Sequence, residues 1–169
     1  MERLVVPYDA RWPELFAGEA ARVRDALGPR CLGVEHIGST AVPGLPSKPV
    51  VDLLVGLPDA LTRDDARALK GLGYRRLRVR RDGRLVFRRG TPRAYSLHVA
   101  EVGTWAWHRP LGFRDLLRRR PEEVERYAAL KLELARTGDL PAYVEGKAAF
   151  IESALREAAP DGALAVRKR

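Results

Sequence analysis

Apolar residues recur at helical spacing over positions 9–27, where Phe16, Ala20, Val23 and Leu27 fall on one face. Asp9 stands at the expected cap, Pro13 falls in the tolerated first turn, and Gly28-Pro29 ends the pattern. Cys31 to Ile37 then reads as a short strand. Val50 to Val55 is apolar throughout except for Asp52, as in a buried strand. Thr62 with Asp65 forms a capping box before a helix whose face carries Ala66, Leu69 and Leu72, with Gly71 and Gly73 at its end. Tyr74 to Arg81 and Leu85 to Arg89 pair as a hairpin around Asp82-Gly83. A three-residue loop, Asp82 to Arg84, groups Leu77, Val79, Leu85 and Phe87 on one face and Arg76, Arg78, Arg80 and Arg88 on the other. A two-residue loop would mix them, and register follows the hydrophobic pattern where one face is buried. Ala94 to Val102 alternates, with Ser96, His98 and Ala100 opposite Leu97, Val99 and Glu101. The last third is helical: one helix opens at Pro121 with Val124, Tyr127, Leu130 and Leu134 in a stripe. After Gly138-Asp139 a second runs to about residue 158 with Tyr143, Lys147, Phe150, Ile151 and Leu155.

This order of elements predicts one α/β (α+β) domain over residues 1–169. It has a mixed sheet with helices mainly on one face and a C-terminal helical pair alongside. The tail at 165–169 is expected to be loose.

Composition changes the picture little. Apolar residues make up 46% and charged ones 31%, as in ordinary soluble domains. No apolar run follows Met1-Glu2-Arg3 and none reaches the length of a membrane span, so neither a signal peptide nor a membrane partner is expected. Cys31 is alone, which suits a reducing, cytoplasmic setting. The net charge of +9 raises nucleic acid as a partner, but the cations are mostly Arg, with Lys only at 48, 70, 131, 147 and 168. Nine arginines against one acid lie within residues 74–93, so position matters more than the total.

The chemistry concentrates between residues 34 and 57. A carboxylate in an apolar strand must be paired, hydrogen-bonded or metal-bound, so Asp52 needs a partner. Gly38, at the junction of strand and loop, lets backbone approach a phosphate closely. Ser39 and Thr40 add hydroxyl donors, and Lys48 a point charge. The spacing excludes a P-loop, because Pro43 stands where its second glycine belongs and Lys48 comes too late. A Rossmann Gly-x-Gly-x-x-Gly after a strand is also missing.

The run HIGSTAVPGLPSKPVVDLLV, with Asp52 thirteen positions after Ser39, resembles the nucleotidyltransferase signature and, more narrowly, the GrpB family. The segments LGFRDLLRRRP (with Phe113, Arg114 and Asp115), YAALKLELA and YVEGKAAFI are similar to that family too, so the resemblance covers nearly the whole chain. It implies a nucleotidyltransferase-like topology. Active members of the superfamily carry a second carboxylate two residues after the first, and here that position is Leu54. Of the family's histidine-rich strand only His98 remains, with Tyr95 and Ser96 just upstream.

Two function classes follow. In the first, the chain handles nucleotides as a metal-dependent nucleotidyl- or phosphoryl-transferase. Gly38, Ser39, Thr40, Lys48, Arg78 and Arg88 then bind phosphate, while Asp52 and His98 are the catalytic residues and hold Mg²⁺ or Mn²⁺. In the second, it binds a nucleotide or RNA without catalysis, in a degenerate site where Asp52 is a hydrogen-bonded structural acid. Lys131 and Lys147 read as surface or pairing residues.

Overall fold

The computed structural model describes residues 5–90, 94–136 and 138–159, Leu140 through its backbone alone; the tail at 165–169 lies outside them. The first helix, α1 (Trp12–Leu27), begins three residues after Asp9. Instead of capping it, the Asp9 carboxylate accepts the Arg11 amide at 2.9 Å and grips the Arg11 guanidinium, forming a turn ahead of the helix. Its buried stripe is Trp12, Ala20, Val23 and Leu27.

Four strands and one helix follow: β1 (Gly33–Ile37), β2 (Val51–Leu57), α2 (Arg63–Gly71), β3 (Arg75–Val79) and β4 (Leu85–Arg89). Then come β5 (Tyr95–Glu101), α3 (Trp105–Arg119), α4 (Pro121–Arg136) and α5 (Leu140–Ala158). The five strands form one mixed sheet in the order β1-β2-β5-β4-β3, antiparallel except for the β2–β5 pair. The Thr62–Asp65 capping box forms in both directions and starts α2.

Alternation on β2 sets what each face carries. Val51, Leu53, Val55 and Leu57 join Phe87, Leu97 and Val99 against α1 and α2 in the main core. Burial of each such side chain contributes about 1.5–3 kcal/mol. Glu19, a buried acid on α1, has its reason there too: it accepts the Tyr74 hydroxyl at 2.9 Å and pairs with Arg89, tying the helix to the sheet.

The opposite face is not open. Ile37, Leu54 and Ala100 are covered by Ala106, Trp107 and Leu111 of α3, and Leu54 is 0% exposed. A third cluster joins Phe113, Leu116 and Leu117 of α3 with Tyr127, Leu155 and two residues of the loop after β1, Val42 and Leu45. Arg114, from the Phe-Arg-Asp segment, donates to Glu35 at 2.7 Å and to the His36 carbonyl at 3.1 Å, while Arg118 donates to the Ala41 carbonyl at 3.0 Å. The loop that leaves β1 is therefore clamped to the helical bundle from its start as far as Leu45.

The hairpin differs from its expected register. Arg80 pairs back to the Arg84 carbonyl at 2.8 Å, so the three-residue loop is Arg81 to Gly83, one position early. A bulge between Arg76 and Arg78 then sets Arg76 opposite Phe87 and Arg78 opposite Val86, which splits the expected arginine face. Leu77 and Val79 are 47% and 56% exposed, because β3 is the edge strand and lies beyond the cover of α1 and α2. Among the described residues no helix is long and apolar enough to cross a membrane.

Candidate functional site

Antiparallel pairing of β1 with β2 sets Ile37 opposite Asp52, so the residues after β1 fall directly beside that carboxylate. Gly38 makes the junction at φ 74°, ψ −174°, a conformation essentially restricted to glycine. A Cβ there would stand 2.5 Å from Asp52 Oδ2. The absence of a side chain at 38 is what lets loop and carboxylate meet. Ser39, half-buried, opens a single helical turn at the same end of the sheet.

Parallel pairing places Ser96 beside Asp52 and His98 one row further along the same face. His98 Nε2 lies 3.3 Å from both Asp52 Oδ1 and Ser96 Oγ. Burial works to raise the Asp52 pKa, but the His98 hydrogen bond, Lys147 and Ser96 outweigh it and hold the carboxyl below its ordinary range. Burial pulls His98 down, helped by Arg84 and Arg80, against the upward effect of Asp52. An ionised Asp52 facing a neutral imidazole puts the proton on Nε2. The other nitrogen, Nδ1, is buried without a hydrogen-bond partner. His98 is thus committed to orienting Asp52.

Two lysines complete the site, and the sequence reading had placed neither there. Lys131, from α4, is 1% exposed, and its ammonium donates to Ser39 Oγ at 3.1 Å and to the Pro46 carbonyl. Burial, with the neighbouring charge of Lys147, lowers its pKa to about 7. Lys147, from α5, is lowered to about 8 by burial and by Lys48 and Arg80, despite Asp52. The Tyr143 ring lies under two ammoniums, Lys48 at 4.7 Å and Lys147 at 5.1 Å from its centroid. Lys131 sits 5.1 Å over Tyr127. A sequence signal did exist: Tyr127/Lys131 and Tyr143/Lys147 share an i,i+4 spacing that lays an ammonium on an aromatic ring.

The remaining expected residues are dispersed. Thr40 is 1% exposed, and its hydroxyl meets His36 Nε2 at 3.0 Å, on the α1 side of the sheet where His36 stacks on Phe16. Arg88 shares the row of Asp52 and Ser96, two strands and about 10 Å away. Arg78 lies on the exposed edge strand, about 14 Å across the sheet from β2. Arg80 is the hairpin arginine whose charge acts on both His98 and Lys147.

The residues present do not suit a pair of divalent ions. Among the described residues no group of three or more His, Cys, Asp or Glu could hold a metal. Asp52 is the carboxylate of the site, Leu54 is sealed in apolar packing, and the imidazole nitrogen facing Asp52 carries a hydrogen. Around them stand Lys48, Lys131, Lys147 and Arg80. The arrangement favours anions.

The profile of the GrpB family, described as "GrpB protein", matches residues 3–157. The chain belongs to the GrpB family. It is 36% identical to UPF0157 protein BH1888 of Halalkalibacterium halodurans over 159 residues, which cover 91% of this chain and 81% of that protein. The crystal structure of the conserved protein GrpB from Enterococcus faecalis superposes with a TM-score of 0.79 at 33% identity, covering 90% of this chain and 95% of the other. A more distant likeness, TM-score 0.54 at 12% identity over 86% of this chain and 58% of the other, is to the GLD-2/RNP-8 complex. That likeness concerns the fold alone, a nucleotidyltransferase-like mixed sheet.

Proposed function

We propose that this GrpB-family chain binds a nucleotide through its phosphate groups at the Ser39–Asp52 site, without carrying out two-metal nucleotidyl transfer. The observation that carries the reading is Lys131: a buried ammonium aimed at the Ser39 hydroxyl, with a second lysine rather than a carboxylate acting on it. A buried cation without an anionic partner is costly, and an incoming phosphate removes that cost. Ser39 and Gly38 supply the close approach, Lys48 and Lys147 share the remaining charge, and Asp52 with His98 fixes the floor. Two-metal transfer needs carboxylates that bridge both ions, and the position for a second one is apolar.

Titration calorimetry with a nucleoside triphosphate tests this reading. Ser39→Ala and Lys131→Met each remove a charge-assisted hydrogen bond of about 1.5–3 kcal/mol, so affinity should drop roughly ten- to a hundredfold. Absence of binding by the wild type at about millimolar ligand overturns the reading.

A further inference from the structure

The site faces its ligand with more positive charge than a magnesium-bound nucleotide calls for. A hard divalent ion takes oxygen ligands, and in phosphate sites it is held by carboxylates on one side and phosphate oxygens on the other. Here the carboxylate side is Asp52 alone, with Oδ1 committed to the His98 ring and Oδ2 packed against the Gly38 backbone. Leu54 closes the next position on the same face, buried among Ile37, Ala100 and Ala106. The charge of Lys147 already acts on Asp52. Lys147 and Lys48 also both stand over the Tyr143 ring, 5.1 and 4.7 Å from its centroid, and the Lys48 charge acts on Lys147. That arrangement repels a cation and is relieved by an anion bridging the two lysines.

We propose that Lys147 occupies the electrostatic place of a divalent cation, so the bound species is a metal-free polyphosphate anion and Mg²⁺ competes with the protein for it. The inference rests on the nucleotide reading but concerns the ionic form of the ligand. Lys131 and Ser39 hold one end of the phosphate chain, and Lys147 with Lys48 neutralises the portion nearest Asp52. An oligophosphate without a base meets the same contacts, since the four groups recognise phosphate alone.

The experiment titrates ATP and, separately, inorganic tripolyphosphate into the full chain, first in EDTA and then with Mg²⁺ in excess over ligand. Both probes should bind in EDTA, and both apparent affinities should weaken about tenfold or more when Mg²⁺ captures the free anion. Lys147→Met should lose affinity in EDTA, Lys147→Arg should restore it, and thermal melts establish that each variant folds. Binding that requires Mg²⁺, or tightens with it, overturns this inference and leaves the nucleotide reading intact. Tripolyphosphate binding without ATP binding removes the nucleotide and keeps the metal-free anion. Binding of neither probe in EDTA or in Mg²⁺ overturns both.

Discussion

Gly38 shows how one residue decides whether the site exists. Alanine there must hold a backbone conformation that disfavours a side chain by about 1–3 kcal/mol, and its Cβ would press on Asp52 Oδ2. Gly38→Ala is expected to lower both thermal stability and ligand affinity, read by melting and by titration. Leu54 makes the complementary point. Installing a second carboxylate two residues after Asp52, as Leu54→Asp, puts an unpaired charge among Ile37, Ala100 and Ala106. The variant should lose several kcal/mol in denaturant unfolding and gain no affinity for Mn²⁺. Lys131 sets the pH response. Its pKa, about 7 in the folded chain, lies below the ordinary lysine value of 10.5, and a bound phosphate raises it. The complex then holds more protons than the free protein, so affinity should fall as pH rises from about 7 toward 9, with proton uptake visible across buffers of different ionisation enthalpy. In the unliganded protein the unfolded chain binds more protons in that window. Stability from this group therefore rises with pH from about 7 toward 10.5, and Lys131→Met should reduce the slope, most visibly between about 7 and 8, leaving the contribution of Lys147 above that.

At the scale of elements, the helical pair positions the lysines through close contact. A Cβ at Gly146 would come within 2.7 Å of a Leu134 methyl, so α4 and α5 approach closely one residue before Lys147. Gly146→Val is expected to separate the pair, lower the melting temperature and weaken ligand binding together. The arginine hairpin behaves otherwise. Arg84 is bound to Asp82 and Arg89 to Glu19, and the bulge divides the rest between two faces. Arg75, Arg76 and Arg78 lie at the outer edge, beyond the Debye length of about 8 Å at physiological ionic strength. Reversing these three to Glu should leave nucleotide affinity within about twofold, measured by the same titration. Nucleic-acid binding through the hairpin would instead be lost in that variant and would weaken steeply with salt.

Over the whole molecule, what the sequence revealed followed the range of the interactions concerned. Helices, strands and the capping box came from periodicity and local hydrogen bonding. The meeting of Gly38, Ser39 and Asp52 was legible because one antiparallel connection joins them. The cover on Leu54 was not, since alternation tells which residues share a face and nothing about what packs on it. Lys131 and Lys147 escaped because they reach the site across 92 and 95 residues of chain, and a lysine in a helical pattern reads as solvated until the bundle is assembled.

The central claim, that Lys131 is kept buried for a phosphate ligand, is tested most directly by thermal unfolding of wild type and Lys131→Met, with and without tripolyphosphate. Ligand at about 100 times its dissociation constant should stabilise the wild type by about 2.7 kcal/mol, a shift of roughly 5–10 °C for a domain of this size. Without ligand the variant should melt at or above the wild-type temperature, because a buried charge has become an apolar side chain of similar volume. With ligand at that same concentration, a ten- to hundredfold loss of affinity should cut its stabilisation to about 0.4–1.4 kcal/mol, about half the wild-type value or less. A variant that melts well below the wild type and still responds fully to tripolyphosphate would contradict the account, leaving Lys131 as a structural tie between α4 and the loop after β1.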